Sequence, residues 1–339
     1  MLRRALSLLL ALPVLAQVPA ATATAPAPAL QSRFLGKAEA AQMLTSDDYF
    51  HLLHVAELRA KTGLELAAST PDQARSDAKA RYAAEAQDFN PAEEAMLRGV
   101  LARASARITA KAPLMARTPF AFIKAGQGVE GGLPHTRGAC IVLSPRILAA
   151  LVAAEAKGDL ARLDAFAADL LVHEQFHVLE RQHPELFASL FTEVFGFRRL
   201  ASAPDSPALQ DQRVVNPDGP DLAWAFPVPG EHGTRWIRPD LLLRTELHPK
   251  MPQDFRMVAV DLENKGDSFT LAQDGQGQPE VEELDAVQAY AQAFPEVGES
   301  FHPNEIAAVL LAAWITGQEK EPGQPLRIRT AAWARTALR

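Results

Sequence analysis

Residues 170–179 read Leu-Leu-Val-His-Glu-Gln-Phe-His-Val-Leu. On a helix, His173 and His177 are four positions apart and share one face. Leu170, Leu171, Val172, Phe176, Val178 and Leu179 surround them, so the helix is apolar nearly all round and is expected to be buried. Buried polar groups without partners are costly. A fold that accepts this segment must therefore give two imidazoles and the Glu174 carboxylate something to bind.

A metal ion meets that need. Two imidazole nitrogens one helical turn apart can both reach a single Zn²⁺ at about 2.0–2.1 Å. Glu174, next to the first histidine, can reach a water on the ion without binding the ion itself. Zinc brings such a water close to neutral pKa, and a carboxylate beside it takes the proton. The pattern His173-Glu174-x-x-His177 thus encodes a nucleophile and its base together.

The surrounding chain narrows the setting. Its 339 residues suffice for one large domain or two modest ones, and 48% hydrophobic with 22% charged residues is a globular composition. The formal charge of −7 argues against nucleic acid or an anionic membrane as the main partner. Arg3 and Arg4, an apolar run from Ala5 to Ala16 and then small residues have the layout of a secretory signal peptide over 1–20. Export to the periplasm or beyond follows, with no stable membrane insertion after cleavage. Residues 21–32, rich in Ala, Pro and Thr, read as a disordered linker. The single cysteine, Cys140, allows no intramolecular disulfide and reads as a small buried hydrophobe.

Residues 33–112 read as a helical N-terminal region. Thr70-Pro71 and Asn90-Pro91 are helix starts, the second with Glu93 completing a capping box. His51 and His54, about one turn apart, read as ordinary residues of a half-buried face. Phe120–Lys124 and Ala139–Leu143 are short β-prone runs, the latter a candidate edge strand for an extended substrate. Helices are expected from Pro145 to about Gly158, from Asp159 to Arg181, onward to Phe195, and again over 284–293 and 304–315. Residues 201–300 read as a loop-rich insert with two or three short strands, among them Arg256–Leu262. The class is α+β, mostly α.

A catalytic zinc needs a third protein ligand and one open position, and three residues compete for the role. His183 gives His-Glu-x-x-His-x-x-x-x-x-His, the spacing of the metzincins, but Glu180 stands where that family turns on a glycine. Glu193 lies on the following helix, where gluzincins carry their glutamate ligand. Glu305, in Asn304-Glu305-Ile306-Ala307-Ala308, is similar to the gluzincin Asn-Glu-x-x-Ala-Asp segment, with Val309 in place of the aspartate that orients a ligand histidine. Asp169 or a backbone carbonyl would then have to hold His173. Glu305 is the favoured ligand.

The chain also resembles a group of secreted bacterial proteins with a zincin motif. The matching pieces are Phe122-Ile123-Lys124, Thr136-Arg137-Gly138, the His173 helix through Pro184-Glu185-Leu186, Gly196-Phe197, Asn216-Pro217-Asp218-Gly219 and His302-Pro303-x-Glu305-Ile306. The resemblance implies a zincin-like catalytic unit over 113–339, with the 201–300 segment belonging to it. The expected function is hydrolysis of a peptide or protein substrate. One zinc would be held by His173, His177 and Glu305, with Glu174 as general base. His302, His232 and Tyr290, in that order, are candidates to stabilise the oxyanion. Two other readings stay open, an inactive binding protein of zincin fold and a closed structural zinc site.

Overall fold

The computed structural model describes residues 29–66, 69–244, 251, 253–266, 268–295 and 297–339. The expected signal peptide and most of the expected linker lie outside them. The linker's last residues are ordered. Strand β1 (Ser32–Phe34) runs parallel to Phe120, Ala121 and Phe122, and the Phe34 and Phe122 rings stack at 5.2 Å. An Ala/Pro-rich composition lacks the apolar surface to order itself, but an available strand edge and one aromatic contact suffice locally.

Helices α1 (Lys37–Thr45), α2 (Tyr49–Leu52), α3 (Val55–Thr62) and α4 (Pro71–Glu85) follow, then β2 (Ala86–Gln87) and α5 (Pro91–Lys111). The expected starts hold. Thr70 accepts the Gln73 N–H at 3.3 Å, and Asn90 and Glu93 cap one another's backbone N–H at 3.0 and 2.9 Å. After α6 (Pro113–Arg117) come β3 (Phe120–Ala125), β4 (His135–Arg137) and β5 (Cys140–Leu143). The first sheet has the order β1-β3-β5-β4, with β2 also on β3. The N-terminal helices and the segment after residue 113 therefore share one sheet. β5 is not an edge strand. It lies parallel to β3 on one side and antiparallel to β4 on the other, because the chain reverses at Gly138, whose φ of 56° suits glycine.

Helices α7 (Pro145–Ala156) and α8 (Leu160–Gln182) carry the chain to the motif. Asp159 caps α8, and Pro184 begins α9 (Pro184–Ser189), which widens into a π turn at Leu190–Val194. The expected helix boundaries agree closely with these.

The 201–300 segment departs from expectation. After β6 (Arg198–Arg199) and α10 (Pro207–Gln210), the strands β7 (Trp224–Gly230), β8 (Gly233–Leu243) and β9 (Phe255–Asn264) form a long antiparallel meander, joined by β10 (Phe269–Leu271) and β11 (Val281–Glu283). Two features hid it. Pro227, Pro229 and Pro239 lie within paired strands, where proline is uncommon. Arg238 and Asp240 occupy buried positions of β8, where Asp240 pairs with both Arg238 and Arg213, so the inward face does not read as apolar.

The chain closes with α11 (Gln288–Ala293), α12 (Pro303–Thr316) and α13 (Pro325–Ala337). The fold is α+β, about 50% helix and 19% strand. α12 is buried on nearly every side and packs along α8, joining Leu171, Phe176 and Leu179 to Ile306, Leu311 and Ile315 in the main core. Leu311 is fully buried. Leu311→Ala is expected to lower unfolding stability by about 2–5 kcal/mol, as large-to-small core changes do, read from the midpoint of urea unfolding.

Candidate metal centre

The packing of α12 on α8 brings one of the three candidate ligands, Glu305, to the two histidines. His173 and His177 project from α8 as their spacing requires, and Glu305 comes from the first turn of α12. The two histidine Nε2 atoms are 3.1 Å apart. Glu305 Oε2 lies 3.3 Å from His173 Nε2 and 3.4 Å from His177 Nε2. Tetrahedral ligands at about 2.1 Å from an ion stand about 3.4 Å from one another, so this triangle has the dimensions of three ligand atoms on zinc. Among the described residues it is the only trio of such atoms that converges. His183 ends α8 away from it, and Glu193 is solvent-exposed in the π turn. His51, on the surface of α2, and His54, at the cap of α3, do not join it.

The charges suit a cation. Burial alone would lower both histidine pKa values, but the Glu305 carboxylate outweighs it and holds both above their ordinary value. Burial would raise Glu305, yet His177 and His173 pull it well below the usual carboxylate range. Glu174, 3% exposed, has one carboxylate oxygen without a hydrogen-bond partner. Burial first, then the neighbouring Asp218 charge, push it up to about 8.

The surroundings of the trio contain residues whose roles the sequence did not reveal. Asn216 Nδ2 donates to Glu305 Oε1 at 2.5 Å and leaves Oε2 facing the histidines. Asp218 accepts from the Thr136 N–H at 2.6 Å and the Thr136 hydroxyl at 2.7 Å. Arg181 donates to the Pro217 carbonyl at 2.6 Å. Gly219 is a close approach, since a Cβ there would stand 2.3 Å from Asn304 Nδ2. The Asn216-Pro217-Asp218-Gly219 segment is thus a strap laid across β4, α8 and α12. Its other end is anchored by the N-terminal helices. Glu57 accepts the Val215 N–H at 2.6 Å, and Lys61, fully buried on α3, donates to the Val215 carbonyl at 2.7 Å. Asn216→Ala is expected to weaken metal binding about 10–100-fold, as loss of a group that orients a ligand does. Competition against a chelating dye reads it, and recovery in Asn216→Gln would separate the lost hydrogen bond from lost packing.

Where Val309 offers no carboxylate, the far ring nitrogen of His177 has Asn304 Nδ2 at 3.4 Å and Glu180 as its nearest carboxylate. Glu180 Oε2 lies 3.8 Å from His177 Nδ1, the ring atom that faces away from the trio. Asp169, expected to hold His173, instead accepts from Thr316 Oγ1 at 3.0 Å, though the His173 charge acts on it.

None of the expected oxyanion residues faces the site. His302 caps α12. Its Nδ1 accepts from the Asn304 backbone N–H at 3.2 Å, and its Nε2 pairs with the Asp221 carbonyl at 2.6 Å. Both ring nitrogens are spent on structure. His232 is exposed in the turn between β7 and β8, and the buried Tyr290 hydroxyl donates to the Ser300 carbonyl at 2.6 Å. A different histidine lines the cavity. His135 on β4 is 1% exposed; its Nδ1 donates to the Leu133 carbonyl at 2.9 Å, and its Nε2 has no partner. Burial holds its pKa below the ordinary value against the pull of Glu130 and Asp218, so the ring is neutral. A donor to a buried carbonyl two residues away is not visible as a motif.

The trio opens into a cavity of about 980 Å³, lined by His173, Glu174, Glu305 and His135 and walled further out by Leu241, Met257 and Phe301. Lys61 and Glu130 also reach it, so the N-terminal helices form part of its frame. No family model matches the chain, and no curated protein or solved structure matches it either.

Proposed function

We propose that this chain is an exported zinc-dependent peptidase of gluzincin-like type, with His173, His177 and Glu305 holding one Zn²⁺ and Glu174 acting as general base. The observation that carries the reading is the convergence of three ligand atoms at zinc-like spacing beside a buried carboxylate oxygen with no partner. No fourth protein ligand converges among the described residues, which favours an open position and a catalytic site over a closed structural one. Zinc bound there supplies Lewis acidity, lowering the pKa of water and polarising a substrate carbonyl.

The protein's own groups supply the rest. Asn216 fixes Glu305 to one ligand oxygen. Glu174 accepts the proton of the attacking water and returns it to the leaving amine, and its buried position keeps competing solvent away. The Val214–Val215 anchor of the strap and the β8–β9 face shape the wall opposite α8. The partner is a peptide or protein substrate. The site's location in the periplasm or outside the cell rests on the N-terminal 1–20 segment, as expected from the sequence.

The test is elemental and chemical together. The purified chain is expected to carry one zinc per molecule by mass spectrometry, to hydrolyse short peptides, and to lose both properties on chelation and regain them with zinc. A chain that takes up no zinc at neutral pH would end this reading. Uptake should also strengthen as pH rises. Both imidazoles are held above the ordinary histidine pKa of 6.5 and must shed protons before offering lone pairs, whereas Glu305 is already ionised. Apparent zinc affinity measured between pH 6 and 9 should therefore climb and then level off once both rings are neutral.

A further inference from the structure

The edge strand beside the site is closed by the protein's own chain. In an antiparallel pair, successive residues turn their backbone groups alternately toward and away from the partner strand. On β4, Thr136 faces outward, and its N–H is taken by Asp218 at 2.6 Å while its carbonyl accepts from Arg181 at 3.4 Å. His135 and Arg137 turn theirs toward β5. Just before the strand, the Leu133 N–H is bonded to the Glu130 carbonyl at 3.1 Å, the Leu133 carbonyl is taken by His135, and Pro134 has no N–H. From Leu133 to Arg137 no outward backbone N–H is left. A long polypeptide cannot bind here by adding a strand, which is the usual way an extended chain is gripped.

The groups that do face the cavity near the trio are acceptors. Asp169 lies one helical turn before His173 on α8, and the exposed Glu299 lines the same cavity as Asp169, His173 and Glu305. No lysine or arginine pairs with either among the described residues, and Asp169 is bonded only to the Thr316 hydroxyl. On the β4 side, the buried His135 has its unpartnered Nε2 as the one ring nitrogen left for the cavity. A neutral imidazole whose other nitrogen donates to a carbonyl can only accept there. Of the cations that line the cavity, Lys61 is taken by Glu57 and Glu130, Arg244 donates to the Phe255 carbonyl, and the exposed Arg162 lies two turns before Asp169; the carboxylates and lone-pair nitrogen nearer the trio ask for a donor-rich, cationic ligand.

We propose that the site takes short peptides by a cationic nitrogen next to the scissile bond, the free terminal ammonium, held by Asp169 and Glu299, with His135 Nε2 accepting a substrate N–H. Water adds across the first peptide bond. The carbonyl carbon gains the hydroxyl, the leaving nitrogen gains the proton, and one amino acid and a peptide shorter by one residue are released. The inference rests on the peptidase reading for the bond that is cut, but not for the recognition.

Two measurements separate the layers. Zinc-loaded protein is given a tripeptide amide with a free amino end, the same peptide N-acetylated, an acetylated version with lysine at the first position, and a long peptide blocked at both ends. The free peptide is expected to be cut at its first bond at least about tenfold faster than any other, the difference a charge-assisted contact makes. Faster cutting of the acetylated lysine peptide would move the ammonium to a side chain and overturn the terminal assignment. Equal cutting of all four would overturn the inference while leaving a peptidase. In parallel, zinc-loaded Glu174→Gln is titrated with the free and acetylated tripeptides by calorimetry. Tighter binding of the free form, diminished in Asp169→Asn and Glu299→Gln at unchanged zinc content, supports the inference even if no peptide is hydrolysed. Equal binding of the two overturns it.

Discussion

Glu305→Ala is expected to strip the protein of zinc under conditions where the wild type holds one ion per chain. The loss should exceed the roughly 10–100-fold that follows from removing a partner of a ligand, because a ligand itself is gone and two histidines at 3.1 Å remain. Fold stability is a necessary control. Glu305 is 4% exposed and sits in the first turn of α12, where a carboxylate also suits the helix dipole. Glu305→Gln keeps the size of the side chain and the Asn216 contact while removing the charge. If Glu305→Ala lost zinc only because α12 frayed, Glu305→Gln would bind as the wild type does. If the carboxylate is the ligand, both lose zinc while circular dichroism of Glu305→Gln stays unchanged. Glu193→Ala and His183→Ala should keep full zinc content, and loss in either would reassign the third ligand.

Glu174→Gln should do the reverse, holding zinc while peptide hydrolysis falls by about 10²–10⁴-fold, the range of a positioned general base. Its Oε2 has no hydrogen-bond partner, so the amide disturbs no existing bond there. A buried carboxyl pushed up to about 8 is held mostly protonated near pH 7 in the metal-free chain, so a neutral amide of the same size brings no new charge into the interior. Stability is therefore expected to hold or rise, with the thermal midpoint as the check. A variant as active as an active wild type would take Glu174 out of the chemistry, and a wild type as inactive as the variant would leave the inactive-binder or structural-zinc reading in its place.

The two variants divide what could be seen in the amino-acid order from what could not. Glu174 was legible because its relation to His173 and His177 is local. A helix sets the positions of residues one and four apart whatever surrounds it. The same holds for the start of α5, where Asn90 and Glu93 cap one another three residues apart. Cys140 as a buried, inert thiol was also legible, and burial pushes it up to about 11. The strands β7 to β9 were obscured for a converse reason. Their prolines and the buried Arg238–Asp240 pair break the two-residue alternation on which strand reading depends.

The remainder of the site is long-range. Local order established that two histidines and a glutamate would share one buried helix, because helical geometry is a property of neighbouring residues. Only the packing of α12 along α8 brought Glu305, and not Glu193 or His183, to the histidines. Closure of the core also set His302 Nε2 against the Asp221 carbonyl and brought β4, with His135, to the cavity. The strap carried Asn216 onto Glu305 and Asp218 onto the open edge of β4. Each of these contacts joins segments far apart in the chain, and such contacts exist only when the core has closed, since a side chain's partners across that distance are set by how buried faces fit together and not by its neighbours in sequence.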